Sequence, residues 1–340
     1  MNTASESQGP TIANRPGLID RVARRLVTRR LAGLKRGQIL LKDASGNSVH
    51  GESSDLHVTL QVRNPRFYRE TVMGGTNSVA ESYIRGDWDC DDLTRLIRVF
   101  VRNLGNADQF DGGLARIQVL VNRAYHWMRS NSRIGSRKNI GAHYDLGNDF
   151  FKLWLDETMA YSSGIFLDES NSLREASEEK FDRVCRKLSL DKTDHLLEIG
   201  TGWGGLAIHA ATNYGCKVTT TTISRNQAAI ARERIAAAGL SDRISLLEQD
   251  YRDLTGKFDK LVSIEMIEAV GYKYFDTYFR KIGELLRPDG SAVLQAIVMP
   301  ERRYQQYLNG VDFIQRFVFP GGCLPSTAAM LESSGRTTDM

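Results

Sequence analysis

The sequence predicts an α/β protein: a doubly wound parallel sheet, strand order 3-2-1-4-5, behind a small N-terminal α+β domain. Three observations carry this. From His195 onward, short apolar strands alternate with helical segments, and strands joined by helical crossovers build a parallel sheet. The run Leu196–Gly205, LLEIGTGWGG, empties a strand into glycines, the place where such sheets open a ligand site. The segment His143–Phe166 sets His143, Asp145, Asn148, Asp156 and Glu157 among Tyr144, Phe150, Phe151, Trp154 and Tyr161, a mixture that no apolar period explains. Together they read as a nucleotide-type cofactor under an aromatic lid that handles an apolar substrate.

The elements follow in order. Residues 1–16 lack the charged-then-apolar layout of a signal peptide and read as a disordered tail. Gly17–Gly37 reads as an amphipathic helix, with Leu18, Ile19, Val22, Leu26, Val27, Leu31 and Leu34 at helical spacing. Seven basic residues face one acid, Asp20, leaving a net +6. Such a helix suits an anionic membrane surface; packing on its own domain is the plainer reading. Nucleic acid is disfavoured, because no aromatic or base-reading pattern accompanies the charge.

Gln38–Gly86 alternates in places, as in His57–Val62, and turn signals at Ala44–Asn47 and Gly74–Asn77 interrupt it. A short sheet is expected, closed by a helix over Leu93–Asn103. A further helix is expected near Leu114–Arg129, then a basic, glycine-bearing linker at 130–141. The accessory, lipid-contacting domain is therefore placed at 17–129 and the sheet domain at 142–340.

Strands are expected at Leu196–Ile199, Lys217–Thr221, Ile244–Glu248, Leu261–Ile264 and Ala292–Ile297. Helices include Leu206–Thr212, Ser224–Ala238 and Tyr274–Leu286, the last burying Phe275, Tyr278, Phe279, Ile282 and Leu286. Gly200, Gly202 and Gly204 let the backbone turn sharply and approach a ligand with no Cβ in the way. The alternative is a βα turn whose glycines serve packing. The second strand runs into Thr219–Ser224, TTTTIS. It lacks the acid that usually holds a ribose, so spacing by itself does not name the cofactor.

Composition is ordinary for a globular chain, 41% hydrophobic and 25% charged. Cys90, Cys185, Cys216 and Cys323 are scattered with no C-x-x-C pair, which argues against a zinc site or a disulfide framework and fits a cytoplasmic chain. No apolar run reaches the ~18 residues of a membrane span. A peripheral location at the membrane is the expectation, with a homodimer open.

Eight ordered motifs resemble the cyclopropane-fatty-acyl-phospholipid and mycolic-acid cyclopropane synthases: HYDLGNDFF (143–151), MAYSSGIF (159–166), EIGTGWGG (198–205), TISRNQ (222–227), QDYRDL (249–254), EMIEAVG (265–271), YFDTYF (274–279) and FPGGCLPS (319–326). A looser match, AESYIRGDWD (80–89), resembles the accessory domain of longer members. The resemblance implies a class I methyltransferase-like fold and S-adenosylmethionine as cofactor. It also implies transfer of a methylene group to the cis double bond of phospholipid acyl chains, giving a cyclopropane fatty acid.

Carried over, Tyr161 and Ser162 would touch the methionine end. Gly200, Gly202, Trp203 and Gly204 would line the turn, with Glu198 orienting it. Thr222, Ile223 and Gln227 would hold the ribose, and Asp250 and Tyr251 would flank the adenine. Taken alone, Gln227 reads as a solvated helix residue and His143 as a structural histidine; the motifs lift the first. His143 or Asp145 is expected to tie the lid.

The family's base is thought to be a bicarbonate ion held at five positions, and this chain departs at several. Glu268 matches, and Ile297 matches through its backbone. Ser163 stands where a Cys is usual and Gln295 where a His is usual, while the fifth ligand, a Tyr, would lie beyond Met340. The departures count against bicarbonate. Ser163 and Gln295 also resemble a branch that methylates the same acyl chains without closing a ring. Only eighteen residues follow Gly322, too few for the two further strands the fold normally adds. A shortened C-terminus is therefore expected, with an inactive fragment as one reading of it.

Overall fold

In the computed structural model, residues 16–103 and 147–339 are described. The chain divides into two compact units, Met1–Arg123 and Ala124–Met340. The expected tail (apart from its last residue, Pro16), the helix near Leu114–Arg129, the linker at 130–141 and the residues His143, Tyr144 and Asp145 lie outside the described residues.

The N-terminal unit opens with α1, Leu18–Leu31. It stops six residues short of the expected end at Gly37. The Asn103 carboxamide oxygen accepts from Lys35 N and Arg36 N at 2.9 and 3.3 Å, turning the chain out of the helix, and Gly37 becomes the first residue of β1, Gly37–Asp43. Strands β2 (Gly46–Glu52), β3 (His57–Val62) and β4 (Trp88–Cys90) complete a sheet in the order β2-β1-β3-β4. The period-2 pattern is realised: Val58, Leu60 and Val62 of β3 are buried, and the residues between them are not. Between β3 and β4 lies α2, Arg66–Ile84, with Gly75 at φ 59° and ψ −148°. The turn signal at Gly74–Asn77 is thus a break inside a helix, because glycine admits the left-handed step that other residues resist. Helix α3, Leu93–Arg102, is capped by Asp92, whose carboxylate accepts from Arg95 N at 2.8 Å.

Helix α1 presents two different apolar sets. Ala23, Val27 and Leu31 are buried in the unit's core, whereas Leu18, Ile19, Val22 and Leu26 are 73, 69, 51 and 45% exposed. Arg24 pairs with Asp43 at 2.5 Å.

The second unit holds five parallel strands: β5 (His195–Ile199), β6 (Lys217–Thr221), β7 (Ile244–Leu247), β8 (Phe258–Ile264) and β9 (Leu286–Gln295). Their order is β7-β6-β5-β8-β9, the predicted 3-2-1-4-5. The short helix α4 (Asn148–Lys152) and α5 (Leu173–Lys187) precede β5. Helices α6 (Gly205–Asn213), α7 (Arg225–Ala237) and α8 (Phe275–Leu285) connect strands. Strand β9 starts six residues earlier than expected and ends at Gln295, so Ala296 and Ile297 leave the sheet at its carboxyl edge. Beyond β9 come α9 (Glu301–Leu308) and α10 (Thr327–Thr337). The α10 residues Ser333 and Arg336 both bond Asp276 of α8, each at 2.6 Å.

Candidate active site at the carboxyl edge of the sheet

Strand β5 releases the chain into a turn in which Gly200, Gly202 and Gly204 take φ of 96°, 55° and 86°, values that side chains disfavour. Gly200 N and Thr201 N both donate to Thr221 O, at 3.1 and 3.0 Å, pinning the turn to β6. A Cβ on Gly202 would meet no atom within 4 Å. That glycine is therefore not kept for internal packing; it borders open space, a cradle that fits S-adenosylmethionine. Gly200 differs, since a Cβ there would press Met266 Cγ at 3.2 Å. This places the segment after β8 against the turn.

Glu198 is buried beside β6, accepting from the Thr220 hydroxyl at 2.5 Å. Burial pushes its carboxyl up to about 7, against the pull of that hydrogen bond. Thr222 and Gln227 are buried and joined, Thr222 Oγ1 donating to Gln227 Oε1 at 3.1 Å, while Ile223 between β6 and α7 is half-buried. Gln227 is thus not a solvated helix residue. Arg252 takes both oxygens of buried Asp250, at 2.8 and 2.6 Å. The Tyr251 ring turns edge-on to Tyr278 with centroids 5.5 Å apart.

The lid is a chain of rings. Phe151 contacts Trp203 at 5.1 Å and Tyr161 at 5.3 Å, Trp154 meets Tyr161 at 5.3 Å, and Phe319 stacks on Tyr161 at 6.3 Å. Two polar ties hold its described part. Trp203 Nε1 donates to Asn148 Oδ1 at 2.8 Å. Arg234, on α7, reaches Thr158 O and Trp203 O at 2.9 Å each and Glu157 O at 2.8 Å. Below the lid, buried Lys180 donates to Ser162 Oγ at 2.6 Å. Burial brings its ammonium down to about 8, against the attraction of Glu265 and Asp156.

Ser163, Gln295 and Ile297 converge on a pair of carboxylates, Glu265 and Glu268. Ser163 N and Oγ donate to Glu265 Oε1 at 2.9 and 3.1 Å, and Gln295 Nε2 donates to the same oxygen at 2.9 Å. Glu265 itself sits at φ 48°, a strained conformation that costs about 1–3 kcal/mol and collects at functional sites. Its amide donates to Gln295 O at 2.8 Å. Glu268 Oε1 accepts from Ile297 N at 2.6 Å, and its Oε2 is buried with no hydrogen-bond partner among the described residues. Burial pushes Glu268 up to about 7; the Ile297 N–H opposes this, and the charge of Glu265 adds to it. Glu268 O also accepts from Cys323 N at 2.7 Å, anchoring the segment that carries Phe319.

The profile of the mycolic acid cyclopropane synthetase family matches residues 131–339. The chain belongs to that family. It is 39% identical over 284 residues to a tuberculostearic acid methyltransferase of Mycobacterium tuberculosis, covering 78% of this chain and 63% of the relative. It is 35% identical to the cyclopropane-fatty-acyl-phospholipid synthase of Escherichia coli, covering 86% of this chain and 73% of that one. A probable fatty acid methyltransferase of Pseudomonas putida is 42% identical, covering 79% and 66%. The chain thus spans about two thirds of the length of these relatives. Among solved structures, the mycolic acid cyclopropane synthase CmaA1 complexed with SAH and CTAB is 30% identical with a TM-score of 0.55, covering 59% of this chain and 74% of that one. The family's fold is that of the class I S-adenosylmethionine-dependent methyltransferases, and the sheet order found here agrees.

Three residues of this site were not singled out from the family's sequence motifs. Glu265 was visible as an acid at the carboxyl end of a strand, inside a motif already quoted. Lys180 was visible as a charge within the apolar stripe Ala176–Val184 of α5. Arg234 gave no signal, because a helix arginine looks the same in sequence whether it is solvated or buried against carbonyls.

Proposed function

We propose that this protein transfers a one-carbon unit from S-adenosylmethionine to the cis double bond of unsaturated acyl chains in phospholipids, with a cyclopropane fatty acid as product. The observation that carries the reading is the pair Glu265 and Glu268, set at the carboxyl edge of the sheet between the glycine turn and a lid of aromatic rings. When bound, the cofactor supplies a sulfonium methyl group, an electrophile strong enough for an isolated alkene. The rings of Phe151, Trp154, Tyr161 and Phe319 exclude water and offer π-faces to the positive charge that develops on the acyl chain. The carboxylate pair then receives the proton whose loss ends the reaction.

Two further features support an apolar, surface-held substrate. In the second unit, Phe150, Leu153, Trp154, Ile297, Val298, Phe313, Ile314 and Phe317 are exposed. In the first, α1 shows solvent Leu18, Ile19, Val22 and Leu26 together with Arg21, Arg25 and Arg29. That combination seats a helix on an anionic leaflet, consistent with peripheral attachment at the cytoplasmic face.

A second reading, a methyl or methylene branch without ring closure, is favoured by the Ser163–Gln295–Glu265 cluster and by the names of the 39% and 42% identical relatives. Mass spectrometry of lipids from cells expressing the protein tests both, since each product adds one carbon. A product that resists mild hydrogenation and has gained only CH2 over its substrate supports the ring, whereas one that resists it and is two hydrogens heavier is a saturated methyl branch. One that takes up hydrogen under conditions sparing cyclopropanes would establish the branch instead.

A further inference from the structure

The donors around Glu265 form a small anion pocket, and this chain's own side chain fills it. Ser163 N, Ser163 Oγ and Gln295 Nε2 all point at one oxygen, Glu265 Oε1, at 2.9, 3.1 and 2.9 Å. A single acceptor taking three donors is what a site built for an anion looks like. These donors belong to positions that the family resemblance assigns to bicarbonate, so the residues present do not fit a free ion there. Glu265 Oε2 takes no hydrogen bond from the described residues and remains for the substrate. The backbone at Glu265 holds φ 48°, a conformation that glycine adopts without strain and glutamate does not. That cost is borne at the position whose carboxylate fills the pocket.

We infer that Glu265 is a built-in carboxylate base that stands in for a diffusible anion in this chain. The inference deepens the proposed one-carbon transfer and rests on it. As the C–S bond breaks, the alkene π pair forms the new C–C bond and leaves a cation on the acyl chain. Glu265 Oε2 takes a proton. If the proton comes from the new methyl group, the C–H pair closes the three-membered ring; if from the neighbouring chain carbon, the same pair forms an alkene. Glu268 stands beside it, its Oε2 buried with no hydrogen-bond partner among the described residues, and burial shifts its own carboxyl toward the neutral form.

The test uses the full chain, carbon-13 bicarbonate and two variants. Glu265→Gly suits the backbone at φ 48° and empties the pocket, so it folds at least as well as the parent. The bicarbonate resonance is expected to stay sharp with the parent protein and to broaden with Glu265→Gly. Broadening with the parent equal to that with the variant would overturn the inference. With S-adenosylmethionine and unsaturated phospholipid vesicles, parent turnover should be unchanged in bicarbonate-depleted buffer. Glu265→Gln should lose about 100-fold or more in turnover while its S-adenosylmethionine affinity, read by calorimetry, holds. Turnover that collapses on bicarbonate depletion and returns on its addition, or a fully active Glu265→Gln, would also overturn it. If no lipid is turned over although S-adenosylmethionine binds, the one-carbon transfer reading fails, and the resonance measurement still decides what fills the pocket.

Discussion

Trp203 Nε1 donates to Asn148 Oδ1 at 2.8 Å, joining the glycine turn to the first described residues of the aromatic segment. Trp203 is 1% exposed, so its indole N–H would be costly to bury without that partner. The bond explains why a large aromatic sits among glycines. The turn that shapes the ligand cradle also carries the wedge on which the lid rests, and Arg234 closes the same junction from α7.

Replacing Arg234 with Met should loosen that junction. The variant keeps a long apolar stem but leaves the carbonyls of Glu157, Thr158 and Trp203 without their donor. A buried carbonyl left unmet costs about 1–3 kcal/mol, and the bonds to Thr158 O and Trp203 O are the part-buried ones here. Thermal melting should show the loss, and S-adenosylmethionine affinity should fall with it. An unchanged melt and unchanged affinity would mean that the lid does not depend on this arginine.

Gly202→Val should separate binding from folding. Its side chain would enter the open space beside the turn, with a backbone penalty of about 1–2 kcal/mol for the left-handed conformation. Calorimetry should find S-adenosylmethionine binding abolished while circular dichroism stays native. Equal affinity in parent and variant would remove the glycine turn from the cofactor site.

Glu198 and Glu268 make stability depend on pH in a stated direction. Both folded carboxyls titrate near 7 rather than at 4.5, so between those values the folded state holds more protons than the unfolded chain. Stability is therefore full below about pH 4.5 from these groups and is lost as pH rises through 7. Glu198→Gln, which stays neutral, should gain on the parent at pH 8 relative to pH 5 by roughly 2–3 kcal/mol. Urea unfolding at the two pH values measures this. A parent and variant that track each other would show that Glu198 is not charged at a cost.

Helix α1 should bind anionic vesicles through Arg21, Arg25 and Arg29 with its exposed leucines. Changing the three arginines to Gln should weaken co-sedimentation by about 1 kcal/mol per residue, and salt should weaken the parent in the same way. Binding that is equal for neutral and anionic vesicles would leave α1 as an ordinary solvated helix.

The sequence by itself determined the sheet, its order and the place of the glycine turn. Local patterns encode all three: short apolar β-strands, glycines where φ turns positive, and crossovers of one hand. It also supplied every motif residue of the site, because a motif is a list of side chains in order. Only the tertiary structure decided what those side chains do to one another. Ser163, Glu265 and Gln295 lie 102 and 30 residues apart along the chain, and their meeting depends on β8 and β9 ending side by side under the segment Tyr161–Ser163. The burial that brings Glu198 and Glu268 up to about 7 and Lys180 down to about 8 is likewise a property of packing. A charge costs little in an extended chain and much where water is excluded, and no reading along the chain shows which of its acids will end up there.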